Sequence, residues 1–354
     1  MKKIIIIGSG WASSTFIKEI DTNKYDIEVI SPNKFFVYTP LLGSSTTKEL
    51  KLTQDIQNLN KVNYIKDELT NIKFQDNKIV TKKNNIYDYD FLILAHGSSI
   101  NTFNIEGVDD NCFKIKNEYD TKLIRDKISN LKPGSKIAVI GCGLTGTEII
   151  GNLIDYNKFN IYAIDGLSRP LNIFNASISN YTLDFWRKNN VNINLNNFVS
   201  KIDNKNIYFK NNKLNYDLAI WCGGVKISPL SIYINKTLGL ENRFGIPVNE
   251  YLQVEKTKNI YAIGDCAYSG NPPTAQVASQ QGKYLANYFN NDFKDIKPFN
   301  FQSKGQICYI GGGNSVYQNN NIIFKGKLTG YLNNFIHIYN SINLNQAFDF
   351  IFKN

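Results

Sequence analysis

The chain has 354 residues, of which 42% are apolar and 20% charged, and its formal net charge is +10. This length allows two or three domains with their own cores, and the ordinary composition indicates a globular protein. The excess positive charge is spread out, without a basic tract interleaved with aromatic residues. Nucleic acid is therefore not expected as a partner, whereas an anionic membrane surface suits the sign of the charge.

The cysteines are scattered along the chain without a CxxC pair, at Cys112, Cys142, Cys222, Cys266 and Cys308. This spacing argues against a zinc site and a dithiol reductase, so we expect no metal and a reducing compartment. The first strand begins at Lys3, and no apolar run reaches about 18 residues. We therefore expect neither a signal peptide nor a transmembrane helix.

The N-terminus reads as a strand, a glycine turn, a helix and a second strand. The β-branched run Ile4–Ile7 ends at Gly8 and Gly10, a helical pattern follows to Ile20, and Glu28–Ile30 forms the next strand. In such a βαβ unit the backbone N–H groups and the helix dipole receive a pyrophosphate. The position of the glycines between strand and helix predicts a dinucleotide site.

Two residues depart from the usual dinucleotide fingerprint. Ser13 stands where a third glycine is common, and the second strand ends at Ser31 rather than at an acid. A serine hydroxyl would then have to meet the ribose. The apolar loop 35–42, with Thr39 near its centre, suits either the core or the wall of a flavin ring.

The strand 89–95 ends in Ala95-His96-Gly97, and a small residue followed by a glycine lets backbone approach a cofactor closely. His96 is one of the chain's 2 histidines, and we interpret it as structural.

A second strand, turn and helix begin at Lys136. Gly141, Gly143 and Gly146 complete the dinucleotide fingerprint, and Glu148 follows in the helix. The partner strand ends at Asp165, where an acid accepts hydrogen bonds from ribose hydroxyls and repels a 2′-phosphate. NADH is thus favoured over NADPH.

Arg169 lies near Asp165 in the sequence, so NADPH remains an alternative to NADH as the substrate. A further apolar strand, 218–225, ends at glycines, among them Gly223, and we expect it to face the nicotinamide. Backbone then returns to Gly264-Asp265 after the inserted nucleotide fold, as a flavoprotein with two dinucleotide sites requires. Asp265 would hold the ribityl chain.

The segment Pro272–Leu285 predicts a helix that starts at its proline pair and carries small residues that allow close packing. Gln276 and Gln280 share one of its faces at i and i+4. Because the helix follows the Gly264-Asp265 strand, its N-terminus should face the cofactor.

The tail 299–354 combines a short β segment with two amphipathic patterns rich in Phe, Ile and Tyr, at 332–342 and 344–352. Such helices suit insertion into a membrane interface, and they equally suit a dimer seam or packing on the core.

Together these motifs resemble the type II, non-proton-pumping NADH:quinone oxidoreductases, which are pyridine nucleotide-disulfide oxidoreductase-like flavoproteins. The resemblance covers nearly the whole chain. Its most specific part is the segment 275–282, which matches the family's quinone-site pattern AQxAxQxG. The tail is shorter than is usual in the family and lacks its charged ending.

The resemblance implies FAD, NADH and a quinone as the bound groups and assigns residues to each. FAD would be held by Gly8, Gly10, Trp11, Ala12, Ser31, Thr39, Gly97, Asp265, Ala275 and Gln276. NADH would be held by Gly141, Gly143, Gly146, Glu148, Asp165 and Gly223. The residues expected to act in catalysis are Glu148, Gln276, Gln280 and Lys304.

The predicted fold class is α/β, with two Rossmann-like domains, the second inserted in the first, and a small amphipathic C-terminal region. We place the FAD domain at 1–105 and 245–298, the NADH domain at 106–244, and a membrane-association or dimerisation region at 299–354. The expected location is a peripheral one, on the cytosolic face of a membrane or on the mitochondrial inner membrane.

The predicted reaction passes a hydride from NADH to FAD and then two electrons to ubiquinone or menaquinone. A sulfide:quinone oxidoreductase shares the architecture but needs redox cysteines beside the flavin. An NADH-sensing signalling flavoprotein, resembling apoptosis-inducing factor, would leave the glutamine motif unexplained.

Overall fold

The protein is described here from a computed structural model, which describes residues 1–341. The helices of this part of the chain are α1 (Trp11–Glu19), α2 (Leu42–Ser45), α3 (Val108–Asn111), α4 (Glu118–Ser129), α5 (Leu144–Tyr156), α6 (Ala176–Lys188), α7 (Pro229–Leu238), α8 (Ala275–Asn290) and α9 (Lys327–Ser341). The first strands are β1 (Lys2–Ile7), β2 (Tyr25–Ser31), β3 (Phe35–Val37), β4 (Thr53–Asp55), β5 (Asn63–Lys66), β6 (Leu69–Lys73), β7 (Lys78–Thr81), β8 (Ile86–Asp88), β9 (Phe91–Leu94), β10 (Ser99–Ile100), β11 (Phe113–Lys114) and β12 (Lys136–Ile140). The later strands are β13 (Asn160–Ile164), β14 (Asn192–Asn194), β15 (Lys201–Ile202), β16 (Asn206–Tyr208), β17 (Lys213–Asn215), β18 (Leu218–Trp221), β19 (Val225–Lys226), β20 (Ile246–Pro247), β21 (Ile260–Ala262), β22 (Ala267–Tyr268), β23 (Gln306–Gly311), β24 (Asn314–Asn319) and β25 (Ile322–Gly326).

The chain divides into two compact units. Unit 1 comprises Met1–Val37, Thr53–Ser99 and Val225–Ser303. Unit 2 comprises Tyr38–Leu52, Ile100–Gly224 and Lys304–Asn354. The second amphipathic pattern of the tail, 344–352, lies outside the described residues.

Unit 1 is built on a parallel five-stranded sheet in the order β21-β9-β1-β2-β5. The isoleucine run of β1 is buried because strands in parallel sheets are covered on both faces. The glycine that follows β1 ends the strand, and α1 crosses back along the sheet. An antiparallel sheet, β6-β7-β8, packs its buried Ile72 and Ile79 into the same apolar core as Ile5 and Leu92.

Unit 2 repeats this architecture with a parallel sheet in the order β11-β18-β12-β13-β14. Its core lies between the sheet and α4, α5 and α6, and contains the fully buried Trp186. An antiparallel sheet, β23-β24-β25, packs Cys308, Ile310 and Val316 against the start of α6.

The sheet of unit 2 lies in sequence between β9 and β21 of the unit 1 sheet. The prediction of two Rossmann-like folds, one inserted in the other, is therefore confirmed. Within residues 1–341, no helix is both long enough and apolar enough to cross a bilayer.

Candidate active site

The glycine turn of unit 1 forms an open cradle at the end of β1. Gly8 has a φ of +108°, and a Cβ there would collide with the Ala95 carbonyl oxygen. A Cβ on Gly10 would meet nothing within 4 Å, so the space beside it is free. Gly10 precedes α1, and no side chain caps the N–H groups of that helix. A helix N-terminus without a side-chain cap and an open backbone surface suit a pyrophosphate.

The departures from the fingerprint have structural consequences. Ser13 is fully buried in α1, so the helix accommodates a side chain there. Ser31 ends β2 and is buried, with its Oγ 3.3 Å from the Ser9 Oγ. Ser9 in turn donates to the Asn33 carbonyl at 2.8 Å. A ribose contact at Ser31 therefore stays a prediction.

Helix α8 packs against α1, and the two helices approach each other closely at Gly282. A Cβ on Gly282 would collide with the Ala12 carbonyl oxygen and lie 3.0 Å from the Phe16 nitrogen. Trp11, at the start of α1, packs edge-on against Phe36 with ring centroids 4.9 Å apart. The last residue of the AQxAxQxG pattern is thus a packing glycine.

The turn at Gly264-Asp265 is tied to α8 by a residue that the sequence analysis missed. Gln281 is fully buried, accepts the Gly264 N–H at 2.7 Å and donates to the Ser269 hydroxyl at 2.9 Å. Asp265 accepts a hydrogen bond from Ser98 at 3.1 Å. In the sequence, the signal for this role of Gln281 is its position directly before Gly282, the glycine at which α8 packs.

The two glutamines singled out in the sequence occupy different settings. Gln280 is engaged by main chain, since its amide donates to the Gln302 carbonyl at 2.8 Å and accepts the Gln302 N–H at 3.0 Å. Gln276 is half-buried in the first turn of α8, which begins at Ala275 behind the N-cap Thr274.

The glycine turn of unit 2 fits a second dinucleotide. Gly141 has a φ of +100°, and a Cβ there would collide with the Cys222 carbonyl oxygen. A Cβ on Gly146 would collide with the Gly141 carbonyl oxygen, whereas one on Gly143 would meet nothing within 4 Å. A Cβ on Gly223 would lie 2.7 Å from the Trp221 indole. Close packing therefore requires a glycine at positions 141, 146 and 223. Gly143 instead leaves room for a ligand.

Asp165 follows β13 and lies beside this turn. Its carboxylate accepts the Cys142 N–H at 2.6 Å and the Leu167 N–H at 2.8 Å, which fixes its orientation. Arg169 is held by its own loop, since its guanidinium donates to the carbonyl groups of Asn172 and Phe174 at 2.9 Å each. The Asp165 carboxylate is thus an acceptor for ribose hydroxyls, whereas the Arg169 guanidinium already donates to carbonyl groups of its own loop.

Glu148 lies on α5 and lines a cavity of about 440 Å³ within unit 2. Asn152 and Asp155 follow it on the same face, and α9 contributes Asn333 and His337. The remaining lining residues are Pro40, Leu41, Ser44, Lys48, Tyr309, Gly313, Gly330, Tyr331, Asn334, Phe335 and Ile338. The volume suits a small organic molecule.

Burial controls the ionisable groups of this cavity. It raises the pKa of Glu148 to about 8, so the carboxyl group is largely protonated at neutral pH. It lowers the pKa of His337 to about 4, which keeps the imidazole neutral. The His337 Nδ1 lies 3.2 Å from the Tyr38 hydroxyl, and Asp155 accepts the Tyr309 hydroxyl at 2.6 Å. The cavity thus holds a protonated carboxyl group and a neutral imidazole, and Lys48 and Asp155 also line it.

The other predicted site residues are placed as follows. Gly97 in unit 1 has a φ of +72° with open space at its Cα. Thr39 begins a short 3₁₀ turn, and Lys304 accepts the Tyr317 hydroxyl at its carbonyl oxygen, 3.1 Å away; both belong to unit 2. The His96 Nε2 lies 2.9 Å from the Ser231 hydroxyl, and its structural role stays an interpretation.

The thiols are not arranged for redox chemistry. All five cysteines are free; burial raises the pKa of Cys112, Cys222 and Cys266 to about 12 and that of Cys142 and Cys308 well above the usual range. Protonated, buried thiols are poor nucleophiles. This disfavours the sulfide:quinone oxidoreductase alternative.

The chain is similar to known proteins in both sequence and fold. The sequence model of the pyridine nucleotide-disulphide oxidoreductase family matches residues 2–282. A protein named "Probable NADH dehydrogenase" from Dictyostelium discoideum is 29% identical, over 90% of this chain and 80% of its own length. A "Probable NADH-ubiquinone oxidoreductase, mitochondrial" from Schizosaccharomyces pombe is 28% identical, over 89% of this chain and 66% of its own length. The structure of NDH2 from Plasmodium falciparum in complex with NADH superposes with a TM-score of 0.88 at 28% identity, over 96% of this chain and 94% of the other.

Proposed function

Because this chain belongs to the pyridine nucleotide-disulphide oxidoreductase family, we propose that it is a non-proton-pumping NADH:quinone oxidoreductase. The observation that carries this proposal is the pair of open glycine cradles, one on each parallel sheet, in a chain similar to NADH-ubiquinone oxidoreductases. The enzyme converts NADH, a proton and a quinone into NAD⁺ and a quinol. One hydride and one proton account for the two hydrogens that the quinol gains.

The cradle of unit 1 fits FAD. Open backbone at Gly10 and the uncapped start of α1 suit its pyrophosphate, and Asp265, which accepts a hydrogen bond from Ser98, would be the acceptor for the ribityl chain. The residues of unit 1 that would hold it are those assigned above, namely Gly8, Gly10, Trp11, Ala12, Ser31, Gly97, Asp265, Ala275 and Gln276. Thr39, which belongs to unit 2, stays a prediction from the family resemblance. When bound, FAD supplies the ability to accept a hydride and to release electrons to a second substrate.

The cradle of unit 2 holds NADH in this proposal. Gly141, Gly143 and Gly146 receive the pyrophosphate, and Asp165 accepts hydrogen bonds from the adenosine ribose. A 2′-phosphate would meet the Asp165 carboxylate, and Arg169 is engaged with its own loop, so NADH is preferred to NADPH. The family resemblance also assigns Gly223 to this NADH site.

Glu148 holds the proton that a quinone must gain. Its carboxyl group is protonated at neutral pH because burial raises its pKa to about 8. The group opens into a cavity large enough for a quinone head, so it acts there as a general acid.

In unit 1, the quinone contacts proposed from the family pattern are Gln276 and Gln280. Lys304, which belongs to unit 2, stays a prediction from the family resemblance. Gln276 lies in the first turn of α8, and the Gln280 amide is bonded to the Gln302 main chain. Gln280 then supports the site by holding the chain that follows α8.

A membrane surface is the proposed source of the quinone. The C-terminal apolar face, defined here as the exposed large apolar residues of β25 and α9, comprises Ile322, Phe324, Leu328, Tyr331, Leu332 and Phe335. Lys325 and Lys327 add positive charge to the same elements. An apolar face with cations suits the interface of an anionic bilayer.

Tyr331 and Phe335 of the C-terminal apolar face also line the cavity of unit 2. A quinone could therefore pass from the membrane along these two residues to Glu148.

Anaerobic stopped-flow on the purified flavoprotein tests the proposal. NADH should bleach the flavin absorbance rapidly, and a short-chain ubiquinone should restore it rapidly. Gln276→Ala should slow the recovery while leaving the bleaching intact, and Lys283→Ala, on the exposed side of α8, should change neither. Bleaching without quinone-dependent recovery in the unaltered protein would contradict the proposal and favour a signalling flavoprotein.

A further inference from the structure

The loops after β13 and β14 meet at the edge of the unit 2 sheet where ligands bind. Both strands are parallel neighbours and end together, at Ile164 and Asn194. In open α/β sheets the ligand lies outside the carboxyl ends of the strands. Asp165, the proposed ribose acceptor, is the first residue beyond β13.

The two loops are joined by main-chain hydrogen bonds. These run from the Asp165 N–H to the Asn194 carbonyl (3.0 Å), from the Asn196 N–H to the Leu167 carbonyl (3.0 Å) and from the Asn197 N–H to the Asp165 carbonyl (3.1 Å). The position of the residue that follows, Phe198, is therefore fixed relative to the Asp165 carboxylate.

Phe198 presents an aromatic ring at this edge. Its side chain is 72% exposed, although its inner side rests on Gly166 so closely that a Cβ on Gly166 would collide with the ring. Leu167, on the same loop, is 45% exposed. Single exposed apolar side chains are ordinary. The Phe198 ring differs from these because it is held in place by Gly166 beside Asp165, the proposed ribose acceptor. The base of an adenosine bound at Asp165 lies one sugar away from that carboxylate.

We propose that Phe198 is the platform on which the adenine ring of NADH stacks, with Gly166 as the seat of the platform. This inference rests on the proposed NADH site and identifies a positioning residue within it. Stacking of a base on an aromatic ring contributes binding energy far from the reacting nicotinamide. Such remote binding is equal in the ground and transition states, so it lowers KM for NADH and leaves kcat unchanged.

Binding and kinetics of Phe198 variants in the full flavoprotein test this assignment. Phe198→Ala should weaken binding of ADP-ribose about fivefold or more and raise KM for NADH by a similar factor at unchanged kcat. Phe198→Tyr and Phe198→Trp should keep the affinity, whereas Phe198→Leu, similar in bulk without a ring, should lose it. Gly166→Ala should weaken binding as well, because its Cβ displaces the ring.

Reduced nicotinamide mononucleotide, which lacks the adenosine, is the matched substrate control. Its KM should be the same for the unaltered protein and Phe198→Ala. Phe244→Ala, which removes a 70% exposed ring from unit 1, should not change ADP-ribose binding. Unchanged ADP-ribose affinity in Phe198→Ala, or an equal effect on the mononucleotide, would overturn the assignment. ADP-ribose binding needs no electron acceptor, so its outcome is independent of whether a quinone is the true second substrate.

Discussion

Glu148 shows how its surroundings change the protonation state of one side chain. A carboxyl group on a solvated helix face is ionised at neutral pH, but burial of Glu148 moves its pKa from its usual 4.5 to about 8. Sequence analysis could place this residue one turn into the helix after a glycine turn. It could not place the cavity in front of it, because the residues of α9 that line that cavity come from a distant part of the chain.

The proton held by Glu148 predicts a pH profile. Quinone reduction should be constant below pH about 8 and fall above it, as the carboxyl group loses the proton it donates. Glu148→Gln cannot donate a proton, so its rate should be lower by about a hundredfold and independent of pH in this range. Steady-state rates between pH 6 and 9 measure both effects. An unchanged descending limb in the variant would show that another group titrates.

The same shift predicts an effect on stability. Below pH about 4.5 the carboxyl group is protonated whether the chain is folded or not, so it has no influence there. Between about 4.5 and about 8 the unfolded chain releases the proton and the folded protein keeps it, so the free energy of unfolding falls as pH rises. Thermal melts should show Glu148→Gln gaining stability relative to the unaltered protein from pH 5 to pH 8. A difference that does not depend on pH would contradict the assigned burial.

At the scale of elements, α8 combines three functions in one helix. Its first turn carries Gln276, Gln281 ties it to the Gly264 turn, and Gly282 lets it contact α1 closely. Sequence analysis identified the helix and its small residues. It missed the role of Gln281, since the residue's partner, the Gly264 N–H, is known only once the helix has packed.

Gly282→Ala tests the contact between α1 and α8. The added Cβ would collide with the Ala12 carbonyl oxygen, and main chain cannot move aside easily, so stability should fall by about 1–3 kcal/mol. Flavin content should fall as well, because Ala12 belongs to the proposed FAD cradle. Thermal melting and the ratio of flavin to protein absorbance measure the two effects. Lys283→Ala, on the exposed side of the same helix, is the control and should show neither loss.

At the scale of the whole molecule, the C-terminal apolar face predicts that the enzyme binds to a membrane surface. Leu328 is 83% and Phe335 62% exposed, which is unfavourable in water and favourable in a bilayer interface. Sedimentation with anionic vesicles should carry the protein down. Leu328→Ser combined with Phe335→Ser should weaken this binding by about tenfold or more.

The same double variant separates membrane binding from catalysis. Activity with a water-soluble short-chain quinone should be less affected than activity with a long-chain quinone dissolved in vesicles. Phe244→Ser, an equally exposed ring in unit 1, should leave vesicle binding unchanged. Vesicle binding that survives the double variant would favour a dimer seam, or packing of the tail, as the use of this face.

The sequence by itself determined the two Rossmann-like units, because glycine turns between a β-branched strand and a helix are local patterns with a local physical cause. It also determined the insertion of one sheet within the other, since the order of strands follows the order of motifs. Only the tertiary structure decided which residues act together. Gln280 is bonded to Gln302 and Phe198 rests on Gly166, both through contacts between separate segments that no local pattern encodes. The raised pKa of Glu148 belongs to the same class, because burial depends on every element that surrounds a group.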